Sequence, residues 1–130
     1  AVLLDEETLR LRVKVLGLEH PETLTSRSNL AVGYARLGRY EDAVWLGEET
    51  LAVYERVLGP EHPDTLTSRI NLACTYRGLR RYEDAARLDE GSLAVYESVL
   101  GPEHPDTQAA RDRLTVTKDR IDSRHAPEER

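Results

Sequence analysis

The sequence predicts an all-α solenoid built from antiparallel helix hairpins. The element Gly59-Pro-Glu-His-Pro-Asp-Thr65 returns at Gly101 and, in softened form, at Gly17, so that successive copies start 42 residues apart. Segment 17–58 is identical to segment 59–100 at 28 of 42 positions. A fixed period of this length is typical of stacked supersecondary units, each of which packs mainly on its neighbours.

Composition favours a soluble helical protein and argues against several other classes. Apolar residues make up 39% of the chain, charged residues 32%, and the formal net charge is -6. Without a block of Lys or Arg, the chain lacks the electrostatic footprint of a nucleic-acid-binding protein. No apolar run approaches the roughly 20 residues of a membrane span, and the first residues do not resemble a signal peptide. Cys74 is the only cysteine, which excludes an intrachain disulfide framework. We therefore expect a cytoplasmic protein with neither a nucleic-acid nor a membrane partner.

The first 16 residues align with the second half of a repeat. Ala1-Val-Leu-Leu-Asp-Glu-Glu-Thr-Leu9 corresponds to Ala43-Val-Trp-Leu-Gly-Glu-Glu-Thr-Leu51 one period later. We therefore predict that residues 1–16 form the second helix of a truncated repeat, in a fragment of a longer array.

Residues 17–58 are predicted to form the first full repeat. The His20-Pro21 step opens its first helix, because the residue before a proline avoids the α region and proline suits the first helical position. Gly38 ends this helix in the left-handed conformation that glycine tolerates. A second helix follows from about Tyr40 to Leu58 and is stopped by a Gly-Pro step. In both helices the apolar residues recur at helical spacing and form one stripe.

Residues 59–100 repeat this helix pair as a second full repeat, with one departure. Arg80 stands where the first repeat has Gly38, and Gly78 precedes it by two residues. A left-handed φ at Arg80 would cost roughly 1 kcal/mol; otherwise the helix would end earlier. We therefore expect the second inter-helix turn to differ slightly from the first.

Residues 101–122 begin a third repeat whose pattern then decays. Arg113, Thr115 and Lys118 replace the Asn, Ala and Tyr of the earlier repeats. A polar helix over the last exposed edge is what a solenoid needs for solubility. We predict a capping helix in residues 101–122 and a disordered tail in residues 123–130.

The spaced pattern of both repeats resembles the tetratricopeptide repeat. It is carried by Asn29-Leu-Ala-x-x-Tyr34-x-x-Leu-Gly38-x-Tyr40-x-x-Ala43, and Asn71-Leu-Ala-x-x-Tyr76 with Tyr82-x-x-Ala85 repeats it. The 42-residue period, longer than the family's usual 34, and the Leu-Gly-x-Glu-His-Pro-Asp-Thr-Leu linker are similar to the kinesin light chain subtype. The uniform linkers, rich in Arg and Glu, resemble more closely the bacterial arrays of this type, of the actinobacterial kind, some of which form arms of signalling ATPases.

This resemblance implies a right-handed superhelix whose first helices line a concave groove for peptide segments. In kinesin-light-chain-like repeats the asparagine of Asn-Leu-Ala typically bonds the backbone of a bound peptide; Asn29 and Asn71 match that position and Arg113 does not. An amide can both donate to and accept from a peptide bond. The alternative is that these asparagines bond a neighbouring helix and set the superhelical pitch. The positions that map to the groove are Thr25, Ser28, Asn29, Val32, Arg36, Thr67, Ile70, Asn71, Cys74 and Arg77.

Other residues that could carry chemistry have simpler structural explanations. Arg36 and Arg77 could bind a carboxylate of an acidic ligand, but they could equally be solvated arginines beside Glu and Asp. His20, His62 and His104 lie one repeat apart, whereas zinc ligands converge within about 2 Å of one ion. We therefore assign the histidines to the linkers and expect no metal, no other cofactor and no catalytic residue.

The sequence thus predicts a non-catalytic scaffold that binds a protein or peptide partner in its groove. One alternative is a sensor or regulatory arm of a larger STAND-type signalling ATPase, which an upstream Gly-x-x-x-x-Gly-Lys-Ser/Thr loop would favour. Another is self-association through the apolar helix face that the half-repeat at residues 1–16 leaves open.

Overall fold

The computed structural model of the chain describes residues 2–125, and this part consists of six α-helices joined by short linkers. Each helix packs mainly on the helices next to it in the chain, and the second also contacts the fourth. The predicted all-α solenoid of antiparallel helix hairpins is confirmed. The helices are α1 (Val2–Leu16), α2 (Pro21–Arg36), α3 (Tyr40–Val57), α4 (Pro63–Gly78), α5 (Tyr82–Leu100) and α6 (Pro105–His125).

The three linkers share one backbone geometry. Each opens on a glycine in the left-handed region, with φ of 91° at Gly17, 89° at Gly59 and 88° at Gly101. Each then places a histidine just before the helix, where its Nδ1 accepts the backbone N–H two residues later at 3.1 Å. The histidine therefore acts as the N-cap that satisfies one of the free N–H groups of the first turn. The capping histidines are His20, His62 and His104.

The turn between α4 and α5 reproduces the turn between α2 and α3, so the predicted difference between them is wrong. Arg80 has a φ of 60°, near the 76° of Gly38. In both turns the backbone N–H of the following arginine donates to the tyrosine carbonyl five residues earlier at 2.8 Å. The guanidinium of Arg81 lies 4.6 Å from the ring centre of Tyr76 and pairs with Asp84 at 2.9 Å. Arg39 makes the same two contacts, with Tyr34 and Asp42, in the first turn, so they fix the residue after the turn in both repeats.

The core runs along the solenoid between successive helices rather than forming a single centre. Small residues let the helices approach closely, since Ala73 in α4 and Ala85 in α5 are fully buried. At Gly47 in α3 an added Cβ would lie 3.1 Å from the Leu72 side chain. The central cluster of buried residues comprises Val44, Leu51, Leu72, Ala73, Tyr76 and Ala85.

Helix α6 continues to His125, three residues past the predicted boundary, which corrects the prediction that residues 123–125 are disordered. Arg124 in its last turn pairs with Glu83, lies 5.8 Å from the ring centre of Tyr82 and donates to the carbonyl of Arg80 at 3.5 Å. These contacts with the start of α5 stabilise the helix end. The rest of the predicted tail, residues 126–130, lies outside the described residues.

Candidate peptide-binding groove

Three adjoining depressions lie along α2 and α4, with volumes of about 680, 190 and 280 Å³. Val32 lines all three, and Asn29 and Asn71 line two each, so the depressions form one continuous surface, which we call the groove. Eight of the ten residues that the sequence assigned to the groove line it, and the two exceptions are Ile70 and Arg77.

The two asparagines occupy the centre of this surface. Asn29 is exposed, Asn71 is half-buried, and both line the 190 Å³ depression. Within residues 2–125 neither side-chain amide has a hydrogen-bond partner, so neither bonds a neighbouring helix there. The donors and the acceptor of both amides are therefore available to water or to another molecule.

Hydroxyl groups surround the asparagines. Thr25 and Thr67 are exposed at equivalent positions of the two repeats, and the Thr25 hydroxyl donates to the carbonyl of Pro21 at 3.0 Å. Ser28 Oγ lies 3.4 Å from the hydroxyl of Tyr54, which comes from α3. The middle of the groove is therefore polar, while its two flanking depressions are mainly apolar and lined by residues such as Val32.

Several groove residues were missed by reasoning from the sequence. Tyr54 lines the central depression although it belongs to a second helix, and Asp64 and Ser68 line it from the start of α4. Tyr40 and Gly47 of α3 line the 280 Å³ depression. The family pattern assigns the groove to the first helix of each repeat, so nothing in the sequence indicated that residues of α3 line it.

Arg77 does not line the groove, which corrects its assignment as a groove residue. Its Nη1 pairs with Asp89 of α5 at 2.8 Å and lies 3.3 Å from the hydroxyl of Thr117 in α6. Its Nη2 donates to Cys74 Sγ at 3.0 Å. Arg77 thus joins three helices instead of offering its guanidinium to a ligand. The sequence contains an indication of this, because the 42-residue period pairs Arg77 with Ala35 of the first repeat and not with Arg36.

Asp89 is 2% exposed and depends on this pairing. Burial raises the pKa of its carboxyl group above the usual value, while the charge of Arg77 and the hydrogen bond from Thr117 oppose that shift. A buried carboxylate without a partner is strongly unfavourable. Arg77 and Asp89 therefore act as a structural pair.

Two further predicted groove residues, Arg36 and Cys74, line the flanking depressions. Arg36 is exposed, lines two depressions and forms no ion pair within residues 2–125. Cys74 is exposed and lines the 280 Å³ depression. In the described part of the chain, no group of three or more His, Cys, Asp or Glu side chains could hold a metal ion. None of the described helices is long and apolar enough to cross a membrane.

The stacked helix hairpins and their shared groove define a helical-repeat protein of the α-solenoid class. The family model of the tetratricopeptide repeat matches residues 3–56 and 33–98. The chain therefore belongs to the tetratricopeptide-repeat family. Repeats of this family mediate protein–protein interaction, and proteins built from them are typically non-catalytic scaffolds.

Solved structures show the same architecture. The nearly identical TPR-like repeats of a kinesin light chain candidate from Podosopora anserina superpose with a TM-score of 0.86 at 32% identity, over 92% of this chain. A variant of that protein with one residue substituted gives a TM-score of 0.85 with the same identity and coverage. These similarities confirm the predicted kinesin-light-chain-like repeat type and the right-handed α-solenoid.

A more distant structure shares the fold. BtubC (BKLC) from P. vanneervenii is 19% identical, with a TM-score of 0.73 over 99% of this chain. The chain spans 57% of the Podosopora repeats and 59% of BtubC. A comparison with curated protein sequences found no significant match.

Proposed function

We propose that the groove binds an extended peptide segment of a partner protein and that Asn29 and Asn71 bond its main chain. The two amides lie at equivalent positions of successive repeats, so they can contact the same ligand at two points along its length. Bonds to the main chain supply affinity whatever the ligand sequence, while neighbouring pockets select side chains.

The observation that carries this proposal is the unpaired state of the two amides. Asn is a mediocre helix former, and both asparagines stand in the middle of helices. Neither amide bonds another side chain or the backbone within the described residues, although both border the same depression. A role in helix packing would instead require a bond to a neighbouring helix.

The flanking depressions support selection of the ligand's side chains. The 280 Å³ depression has apolar walls that include Val32, Ala43 and Tyr40, and it suits an apolar side chain. Arg36 borders both flanking depressions, where its guanidinium can bind a carboxylate in a bidentate manner. The expected ligand therefore combines an apolar residue with an acidic residue or a C-terminal carboxylate.

The test is a peptide-array screen followed by affinity measurement with the double variant Asn29→Ala, Asn71→Ala. Loss of two main-chain hydrogen bonds of about 1 kcal/mol each is expected to weaken binding roughly thirtyfold. Thermal stability is expected to stay the same or rise, because Ala is the better helix former.

The matched control is Gln108→Ala, which removes an exposed amide from α6 outside the groove. It is expected to leave affinity unchanged. A double asparagine variant that melts at a clearly lower temperature but still binds its peptide would assign the asparagines to packing and refute the proposal.

Self-association through α1 is a second candidate, favoured by the exposed apolar side chains of that helix. Leu4 is 64% exposed, whereas its equivalent Leu46 in α3 is 5% exposed. The corresponding test is light scattering over a range of concentrations, with Leu4→Lys compared with Val116→Lys on α6. A monomer at the highest concentration rules this candidate out. The other exposed apolar residues of α1 are Leu3, Leu11 and Val15.

The role of an arm in a signalling ATPase stays a prediction. It requires contacts with an ATPase domain, and the encoded full-length protein would test it directly. A phosphate-binding Gly-x-x-x-x-Gly-Lys-Ser/Thr loop upstream would favour it.

A further inference from the structure

Two equivalent pockets open beside the linkers, one in each full repeat. The larger, of about 320 Å³, has apolar walls that include Leu66, Tyr96 and Val99, and carboxylates at Glu61 and Asp106. The smaller, of about 190 Å³, is formed largely by residues at the same positions one period earlier. The larger pocket adjoins the groove at Thr67 but contains neither of the groove's asparagines.

The two pockets differ in whether their glutamate has an ion-pair partner. Glu19, which lines the smaller pocket, pairs with the exposed side chain of Arg56 of α3 at 2.5 Å. The residue equivalent to Arg56 in the second repeat is Ser98, which cannot form this pair. Glu61 accordingly has no ion pair within residues 2–125. The first repeat thus supplies from its own chain the cation that the second repeat lacks.

The second carboxylate of the larger pocket, that of Asp106, can also accept a cation. Asp106 Oδ2 lies 4.0 Å from Nδ1 of His104, a contact that is ionic only if the imidazole is protonated. That Nδ1 already accepts the backbone N–H of Asp106. Val99, on the pocket wall, is 55% exposed. The pocket therefore combines uncovered apolar surface with two carboxylates available to a cation.

We propose that this pocket binds an arginine or lysine side chain from a basic segment of a partner protein. The aliphatic stem packs on Val99 and Tyr96, as long cationic side chains do on apolar surfaces, while the charged head lies between Glu61 and Asp106. The pair between Glu19 and the exposed Arg56 shows that the glutamate at this position of the repeat accepts a guanidinium. The net charge of -6 attracts a basic segment and speeds its association.

This inference is independent of peptide binding in the groove, so the two can fail separately. The probe is the peptide acetyl-Ala-Leu-Arg-Leu-Ala-amide, with a citrulline analogue as the neutral control, titrated into the ¹⁵N-labelled full chain and followed by NMR. The arginine peptide is expected to shift the amide resonances of Glu61, Val95 and Val99, more strongly at low salt than at high salt. The citrulline peptide is expected to leave them in place.

Two reciprocal variants place at each of the two equivalent positions the residue that the other repeat has there. Ser98→Arg recreates the internal pair at Glu61 and is expected to weaken the probe about fivefold. Arg56→Ser frees Glu19 and is expected to add a second set of shifts at Glu19 and Val57. Asn29→Ala with Asn71→Ala is expected to change neither result, which separates this pocket from the groove.

Each outcome decides the proposal. Equal shifts with both peptides, shifts confined to the groove, or no shifts at these residues would overturn it. If circular dichroism shows that Ser98→Arg is misfolded, Glu61→Gln gives the same test from an exposed linker position. Undiminished binding by a folded Glu61→Gln variant would overturn the proposal as well.

Discussion

The hydroxyl of Tyr76 in α4 donates a 2.5 Å hydrogen bond to Oε1 of Glu48 in α3. This bond joins the second helix of one repeat to the first helix of the next. The same contact recurs at each junction between repeats, with a lysine in place of the tyrosine at the last one. The equivalent pairs are Tyr34–Glu6 at 3.2 Å and Lys118–Glu90 at 3.7 Å.

Stability is predicted to fall at alkaline pH because of Tyr76. Burial raises the pKa of its phenol above the usual value, and the hydrogen bond to Glu48 and the charge of that carboxylate raise it further. An unfolded tyrosine loses its proton near pH 10, so above that pH the unfolded chain binds fewer protons than the folded one. The stabilisation is complete below about pH 10 and decreases above it, by at most about 1.4 kcal/mol per pH unit for one tyrosine.

Urea unfolding at pH 8 to 11 measures this slope. Tyr76→Phe is expected to reduce it and, at neutral pH, to lower the free energy of unfolding by about 1 kcal/mol through loss of the bond. Tyr34, whose pKa burial also raises, accounts for the slope that remains. Tyr82→Phe is the control, since that hydroxyl has no bond in the described part of the chain. An unchanged slope in Tyr76→Phe would contradict the prediction.

Arg77→Ala is predicted to be strongly destabilising because it leaves the Asp89 carboxylate buried without a partner. Removing one member of a buried ion pair typically costs about 3–5 kcal/mol. The double variant Arg77→Ala, Asp89→Ala is expected to recover most of this loss, since the first repeat folds with Ala35 and Gly47 at these positions. Chemical denaturation of the single and double variants gives the coupling energy. Additive effects would show that the pair contributes nothing.

Arg80→Gly is predicted to stabilise the protein modestly. A left-handed residue other than glycine is strained by roughly 1–2 kcal/mol, of which the greater unfolded-state freedom of glycine offsets about half. The expected gain is therefore about 0.5–1 kcal/mol, measured as a higher melting temperature. Gly38→Arg is the matched reverse change and is expected to be destabilising. A lower melting temperature for Arg80→Gly would mean that the arginine side chain stabilises the turn.

His62→Ala is predicted to lower the free energy of unfolding by about 1 kcal/mol, because the N-cap acceptor of α4 is lost. His62→Asp restores an acceptor at the same position and is expected to recover the loss. Thermal unfolding followed by circular dichroism compares the two variants. Equal destabilisation by Ala and Asp would show that the imidazole acts by packing rather than by capping.

Helix starts were predictable because they depend on local chemistry. The His-Pro steps place the first helical residue at Pro21, Pro63 and Pro105, where the structure has it. The end of α6 was not predictable, because Arg124 is held by residues more than 40 positions earlier. The equivalence of the two inter-helix turns was not predicted either, because the sequence left open whether Arg80 would take a positive φ, and the structure gives it one of 60°.

The groove was predictable to the extent that it follows the repeat. Asn29 and Asn71 stand out in the sequence because they recur at the period, and the structure places both on one surface. Arg77 corresponds to Ala35 of the first repeat and not to Arg36, so its assignment to the groove did not follow the repeat. The pocket at Glu61 was not predicted, since it is assembled from a linker and from three helices, α4, α5 and α6.

The recurring tyrosine–glutamate contact has a consequence for how such a chain can grow. Each 42-residue unit carries the tyrosine on its first helix and the glutamate on its second, so it already matches a copy of itself at both ends. A tandem duplication of the encoding DNA would therefore insert a unit that folds against its neighbours without any new mutation at the interface. Gene length can change in whole units, and the 28 identical positions between segments 17–58 and 59–100 are consistent with that history.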